Sequence, residues 1–102
     1  MNKQEWYNEE KIIFEKFKNS LNKVKTFPEA QLLLREAPPV DTPGRKYYSN
    51  FGVFLDGFYV IPAGAGEEEK LLYKNFIERL DKTGQLKPGE GQRIIDKLNN
   101  DI

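Results

Sequence analysis

The sequence predicts an α+β fold in which four helices surround one antiparallel β-hairpin, in the order α-α-β-β-α-α. Apolar residues recur at three- and four-residue spacing before residue 38 and after residue 66, which is typical of amphipathic helices. Between these segments, two runs rich in aromatic and β-branched residues flank Asp56–Gly57, a dipeptide typical of a two-residue hairpin turn. With 102 residues, the chain is long enough for one domain, 1–102, with one core.

The first predicted helix begins near Asn2 and continues for about five turns. Asn2 is followed three residues later by Glu5, a spacing that predicts a capping box. An apolar stripe at helical spacing follows, interrupted once by a glutamate. The stripe consists of Trp6, Glu10, Ile13, Phe17, Leu21 and Val24.

The second predicted helix begins at Thr26, whose hydroxyl is suited to cap it. Pro28 fits a first helical turn, and Glu29 completes a second capping box. This helix should end near Ala37, because Pro38 and Pro39 disfavour helical geometry in the residues before them.

The predicted hairpin occupies residues 47–62, with strands 47–55 and 58–62 on either side of the Asp56–Gly57 turn. The pleat then places two sets of side chains on opposite faces. The purely apolar face, which suits a core, holds Phe51, Val53, Leu55, Phe58 and Val60. The other face holds Tyr48, Asn50, Gly52, Phe54, Tyr59 and Ile61.

Two further helices are predicted after residue 66. Three consecutive glutamates, 67–69, complement the dipole of the third helix at its first turn. Gly84 is a natural residue to end it. The fourth helix has one apolar stripe, formed by Ile94, Ile95, Leu98 and Ile102, and we expect that stripe to dock onto the third helix.

Composition restricts the function. The 16 basic and 16 acidic side chains give no net charge, whereas non-specific nucleic-acid binders are usually basic. The chain has no Cys and no His, so it lacks a thiolate nucleophile and the usual general base and transition-metal ligand. We therefore expect no enzyme activity, no cofactor and no metal. Without a signal or membrane-spanning segment, we expect a soluble, cytoplasmic protein.

The leading hypothesis is a small non-enzymatic interaction module that binds another protein or itself. Its predicted binding surface is the mixed face of the hairpin, centred on Tyr48, Phe54 and Tyr59, with Arg45 and Lys46 at the rim. Tyrosine with neighbouring arginine is typical of binding hot spots. The same face could instead be covered by helices and belong to the core.

The alternative hypothesis is a nucleic-acid-binding accessory protein. Arg45 and Lys46 precede two tyrosines, and basic residues beside aromatic rings can hold phosphates while bases stack. The first helix would add Lys16, Lys18, Lys23 and Lys25. Steep loss of affinity with salt would distinguish this hypothesis from protein binding.

Overall fold

The computed structural model describes residues 2–101, and in that range the regular secondary structure is all helical, without a β-strand. The helices are α1 (Lys3–Leu21), α2 (Phe27–Leu34), α3 (Arg45–Asp56), α4 (Glu67–Lys82) and α5 (Glu90–Asn100). The fold is therefore all-α, and the predicted α+β class is wrong.

Asn2 and Thr26 are confirmed as N-caps, although the reciprocal bond from the N-cap backbone N–H to the glutamate is not formed in either helix. The Asn2 side chain accepts a hydrogen bond of 2.8 Å from the backbone N–H of Glu5. The Thr26 hydroxyl accepts one of 3.3 Å from the N–H of Glu29. Helix α2 ends at Leu34, earlier than the predicted end near Ala37.

Helix α3 occupies the segment predicted as the first strand of the hairpin. Its buried residues are Tyr48, Phe51, Phe54 and Leu55, which recur at the three- and four-residue spacing of a helix. Val53, which the hairpin would have placed in the core, is 54% exposed. Aromatic and β-branched residues favour strands only weakly, so burial of a helical stripe outweighs that preference.

The Asp56–Gly57 dipeptide ends a helix and does not connect two strands. The N–H of Gly57 donates to the Val53 carbonyl at 2.9 Å, and that of Tyr59 donates to Phe54 at 2.7 Å. The next two residues, Phe58 and Tyr59, have a left-handed backbone conformation, with φ of 54° and 70°. Left-handed residues commonly close helix C-termini. The predicted second strand, 58–62, is consequently a loop.

The core is formed by side chains from all five helices, with α4 supplying the largest share. Its fully buried members include Phe17, Leu21, Phe51, Phe54, Tyr73, Phe76, Ile77, Leu80 and Leu98. Helix α5 packs on α4 through Ile94 and Leu98, which are 2% and 0% exposed. The predicted docking of the last helix onto the one before it is confirmed, while Ile102 lies outside the described residues.

Helix α1 is anchored to the core at one half only. Arg79 of α4 donates from Nε to the Val24 carbonyl at 2.6 Å and from Nη2 to the Leu21 carbonyl at 2.7 Å. These bonds fix the C-terminal end of α1, where charged donors to free carbonyls are favourable. At the other end, residues 2–8 are all exposed.

The start of α3 packs directly onto the middle of α1. Gly44 precedes α3 with φ of +92°, and a Cβ atom there would lie 2.7 Å from Cβ of Ile13. Only glycine combines that backbone conformation with so close an approach. The contact holds Arg45 and Lys46 beside α1.

Candidate functional site: a groove along α1

The structure separates the five predicted binding residues into two groups. Tyr48 and Phe54, 5% and 0% exposed, lie in the core, and Tyr59 packs half-buried with its ring centre 5.4 Å from that of Phe54. These three rings do not form a surface, because the hairpin that would have presented them is a helix followed by a loop. Lys46 is exposed and Arg45 half-buried, and both lie in the first turn of α3.

Three depressions border α1, and each shares lining residues with the next. We call them together the α1 groove. The first, of 370 Å³, is lined by Trp6, Glu10, Val40, Thr42, Gly44, Arg45, Lys46 and Ser49. The second, of 450 Å³, is lined by Phe14, Lys46, Tyr47, Gly64, Gly66, Glu67, Glu68 and Glu69. The third, of 250 Å³, is lined by Phe14, Lys18, Asn22, Glu68, Leu71, Leu72 and Asn75.

A single row of α1 side chains runs through all three depressions. Its members recur every fourth residue, the spacing of a ridge on a helix surface. The row consists of Trp6, Glu10, Phe14, Lys18 and Asn22. From Trp6 to the C-cap residue Asn22 the row rises about 24 Å at about 1.5 Å per residue, and it also turns by about 160° around the helix axis.

The first depression is the basic and aromatic end of the groove. Lys46 pairs with Glu10 at 3.0 Å, and the Tyr47 hydroxyl donates to the same carboxylate at 3.1 Å. Burial opposes ionisation of Glu10, but these contacts outweigh it and lower the pKa of that carboxyl below its ordinary value. The Glu10 charge is thus already matched by Lys46.

Arg45 is the unmatched cation at this end. Its guanidinium donates to the carbonyl of Pro38, which holds it at the edge of the first depression. Within residues 2–101 it forms no ion pair. Beside it lie two exposed apolar side chains, Trp6 at 42% and Val40 at 83%.

The second and third depressions hold most of the acidic side chains of the groove, and Lys46 and Lys18 also line them. Glu67 and Glu68 are exposed, and neither forms an ion pair in the described part of the chain. Glu69 differs, because it is buried and accepts hydrogen bonds from Gly66 N at 2.7 Å and Asn50 Nδ2 at 3.1 Å. It caps α4 and ties that helix to α3. Leu71, 50% exposed, supplies the apolar surface at this end.

Sequence reasoning missed Trp6 and Leu71 as surface residues. Trp6 belongs to the same stripe as Phe17 and Leu21, so its spacing alone predicted a core position. Glu10 was the available signal, since a carboxylate inside an apolar stripe marks the point at which the buried part of a helix ends.

The molecule therefore belongs, by fold and surface, to the class of small helical domains that carry an elongated amphipathic groove. Comparison of the chain with protein-family models, curated proteins and solved structures gives no match. Among residues 2–101, none of the helices is both long enough and apolar enough to cross a membrane. Over the same range, no group of three or more acidic side chains is arranged to hold a metal ion.

Proposed function

We propose that this protein is a small non-enzymatic interaction module that binds another protein or a second copy of itself through the α1 groove. The observation that carries the proposal is Trp6. It continues the stripe that forms the core further along α1, yet it is 42% exposed and lies in the same depression as the unpaired Arg45. Tryptophan and arginine are the residues most enriched at the energetic centres of protein interfaces.

The chemistry of the groove supports binding more than catalysis. Its charged residues are lysine, arginine and glutamate, and the sequence contains no Cys or His to act as nucleophile or neutral-pH base. The depressions are lined by both apolar and charged side chains. Such a surface resembles the grooves that accept an amphipathic helix.

The helix 1 lysines give little support to the nucleic-acid alternative. Lys18 lines the groove, whereas Lys16 is two residues away and so lies on the opposite side of α1. Lys46 is matched by Glu10 at 3.0 Å. The basic side chains thus do not form one continuous face, and no contact favours this alternative over protein binding.

A pair of substitutions on α1 tests the proposal. Trp6→Ala removes the exposed indole from the groove. Ile12→Ala is the matched control, because Ile12 is 58% exposed but lies two residues from both Glu10 and Phe14, on the opposite side of the helix. Each variant is assayed for retention of proteins and nucleic acids from an extract of the source organism, and for self-association by sedimentation.

We expect Trp6→Ala to lose binding in at least one assay, while Ile12→Ala keeps it and both variants keep helical circular dichroism. If Trp6→Ala equals the wild type in both assays, the α1 groove is not the binding surface. Retention of nucleic acid that depends on the lysines and disappears with moderate salt would favour the alternative.

A further inference from the structure

Resting on the function proposed above, we propose that the first depression of the α1 groove binds an acidic segment of a different protein, in which a carboxylate side chain lies next to a bulky apolar one. Arg45 binds the carboxylate, and Trp6 packs against the apolar side chain. The polar atoms, the apolar walls and the volume of this depression together favour that occupant.

The polar side chains of the depression have free donors. The Arg45 guanidinium uses Nη1 for the Pro38 carbonyl, and its Nε lies 3.5 Å from the Ser49 hydroxyl oxygen. Within residues 2–101, Nη2 of Arg45 and the hydroxyl hydrogens of Ser49 and Thr42 have no acceptor. All three residues line the depression. An occupant that brings an acceptor therefore satisfies donors that the chain itself leaves open.

The carboxylate that lines the depression is already engaged. Glu10 pairs with Lys46 at 3.0 Å and accepts a hydrogen bond of 3.1 Å from the Tyr47 hydroxyl. Its charge is matched inside the chain, so the charge of Arg45 is left over. Asp41 belongs to the loop before α3 but does not line the depression. Because a guanidinium binds a carboxylate more strongly than a neutral acceptor, the open donors favour an acidic side chain.

The same depression has two exposed apolar walls. Trp6 of α1 is 42% exposed, and Val40 of the loop between α2 and α3 is 83% exposed. Covering them with an apolar side chain stabilises the complex in proportion to the area removed from water. The volume of 370 Å³ is near the lower end of the range for ligand pockets, about 300–1,000 Å³. It therefore fits a few side chains of a protein segment.

Occupants of other chemistry fit less well. A basic segment would meet Arg45 and Lys46 at the same place. A purely apolar segment would cover Nη2 of Arg45 without giving it an acceptor, which is unfavourable. The charges do not favour a second copy of this chain, because Lys46 and Lys18 line the same depressions as the glutamates. Self-association is therefore an alternative outcome of the experiment.

Synthetic peptides of one length test the chemistry of the occupant. Each is blocked at both termini and carries glutamate, glutamine or lysine, followed by phenylalanine or serine, at the centre of a glycine–serine background. Binding to the whole ¹⁵N-labelled chain is followed by NMR at the backbone amide of Arg45 and the indole N–H of Trp6. We expect the glutamate–phenylalanine peptide to bind at least ~fivefold more tightly than any other, since each other peptide lacks the charge pair, the apolar contact or both.

A matched pair of protein variants locates the carboxylate. Arg45→Gln removes the charge but keeps an amide that can donate to the Pro38 carbonyl. Arg93→Gln makes the same change of net charge at an exposed position on α5. We expect Arg45→Gln to bind the glutamate and glutamine peptides equally, while Arg93→Gln keeps the wild-type preference. If Arg45→Gln loses helical circular dichroism, the comparison of peptides on the wild-type chain still decides the result.

The failures of the two proposals are distinguishable. Equal binding of the glutamate, glutamine and lysine peptides overturns the acidic segment, as does the absence of any NMR change at millimolar peptide. Tighter binding of a peptide that has no glutamate but ends in phenylalanine with a free carboxylate overturns the side-chain carboxylate. Self-association that depends on Trp6 overturns the different protein. All of these results leave the proposed function intact if Trp6→Ala loses binding, whereas wild-type behaviour of Trp6→Ala overturns both.

Discussion

The two halves of α1 carry one continuous stripe but meet different surroundings. In the C-terminal half, Phe17 and Leu21 are fully buried, and Arg79 holds the helix end by two hydrogen bonds. In the N-terminal half, the same stripe continues through Trp6, which is 42% exposed. Periodicity therefore predicts which face of a helix is apolar, but the number of neighbouring helices decides how far along that face the core extends.

The largest expected difference between the halves is in stability. Phe17→Ala should lower the free energy of unfolding by about 3–5 kcal/mol, because it leaves a cavity among the aromatic rings of the core. Trp6→Ala should cost at most about 1 kcal/mol, as expected of a largely exposed site. Urea unfolding followed by circular dichroism, at a concentration where the chain is monomeric, measures both. Equal losses would mean that the first turns of α1 are part of the core.

Gly44 marks the boundary between the halves, and its substitution gives the next largest effect. Gly44→Ala should cost about 2–3 kcal/mol, because the new methyl group combines a strained backbone with a collision against Ile13. Gly84→Ala is the control for strain alone, since Gly84 has φ of +73° but nothing within 4 Å of the added Cβ. If the two variants lose the same stability, α3 is not seated tightly on α1.

The smallest expected effect is a loss of stability at alkaline pH, caused by a buried tyrosine of the core. Burial raises the pKa of the Tyr73 hydroxyl above its usual range, with Glu69 adding to the effect. The pKa of Tyr73 is thus higher in the folded state than in the unfolded state. The stability gained from this difference is complete below pH about 10 and is lost as pH rises further, by at most about 1.4 kcal/mol per pH unit. Unfolding free energies measured across this range should fall accordingly.

Tyr73→Phe isolates that contribution. The Tyr73 hydroxyl is buried without a hydrogen-bond partner among the described residues, so its removal should cost little stability at neutral pH. The variant should also lose less stability than the wild type at high pH. An unchanged alkaline slope would show that other groups cause it.

Most helices could be predicted from the sequence, because their signals are local. The N-caps at Asn2 and Thr26 and the stripe of α5 depend only on residues within a few positions of one another. The segment 45–56 could not, because Phe51 and Leu55 fit both a strand face and a helix face. Gly57 is equally suited to a hairpin turn and to a helix end. Only packing against α1, α2 and α4 decides between them.

The α1 groove, the candidate binding surface, was less predictable than the helices. Arg45 and Lys46 were expected at a rim and do line the first depression, but the aromatic rings assigned to them belong to the core. Their actual neighbour, Trp6, is almost forty residues earlier in the chain. A groove built from side chains so far apart leaves no pattern in either segment taken alone.

The position of Trp6 has a spectroscopic consequence. It is the only tryptophan in the chain, and it lies outside the core. Intrinsic tryptophan fluorescence should therefore report poorly on global unfolding, since the indole is already partly hydrated in the folded state. Covering the α1 groove would transfer that indole from water to an apolar surface and shift its emission to the blue. The chain thus carries a built-in optical probe of groove occupancy that needs no label.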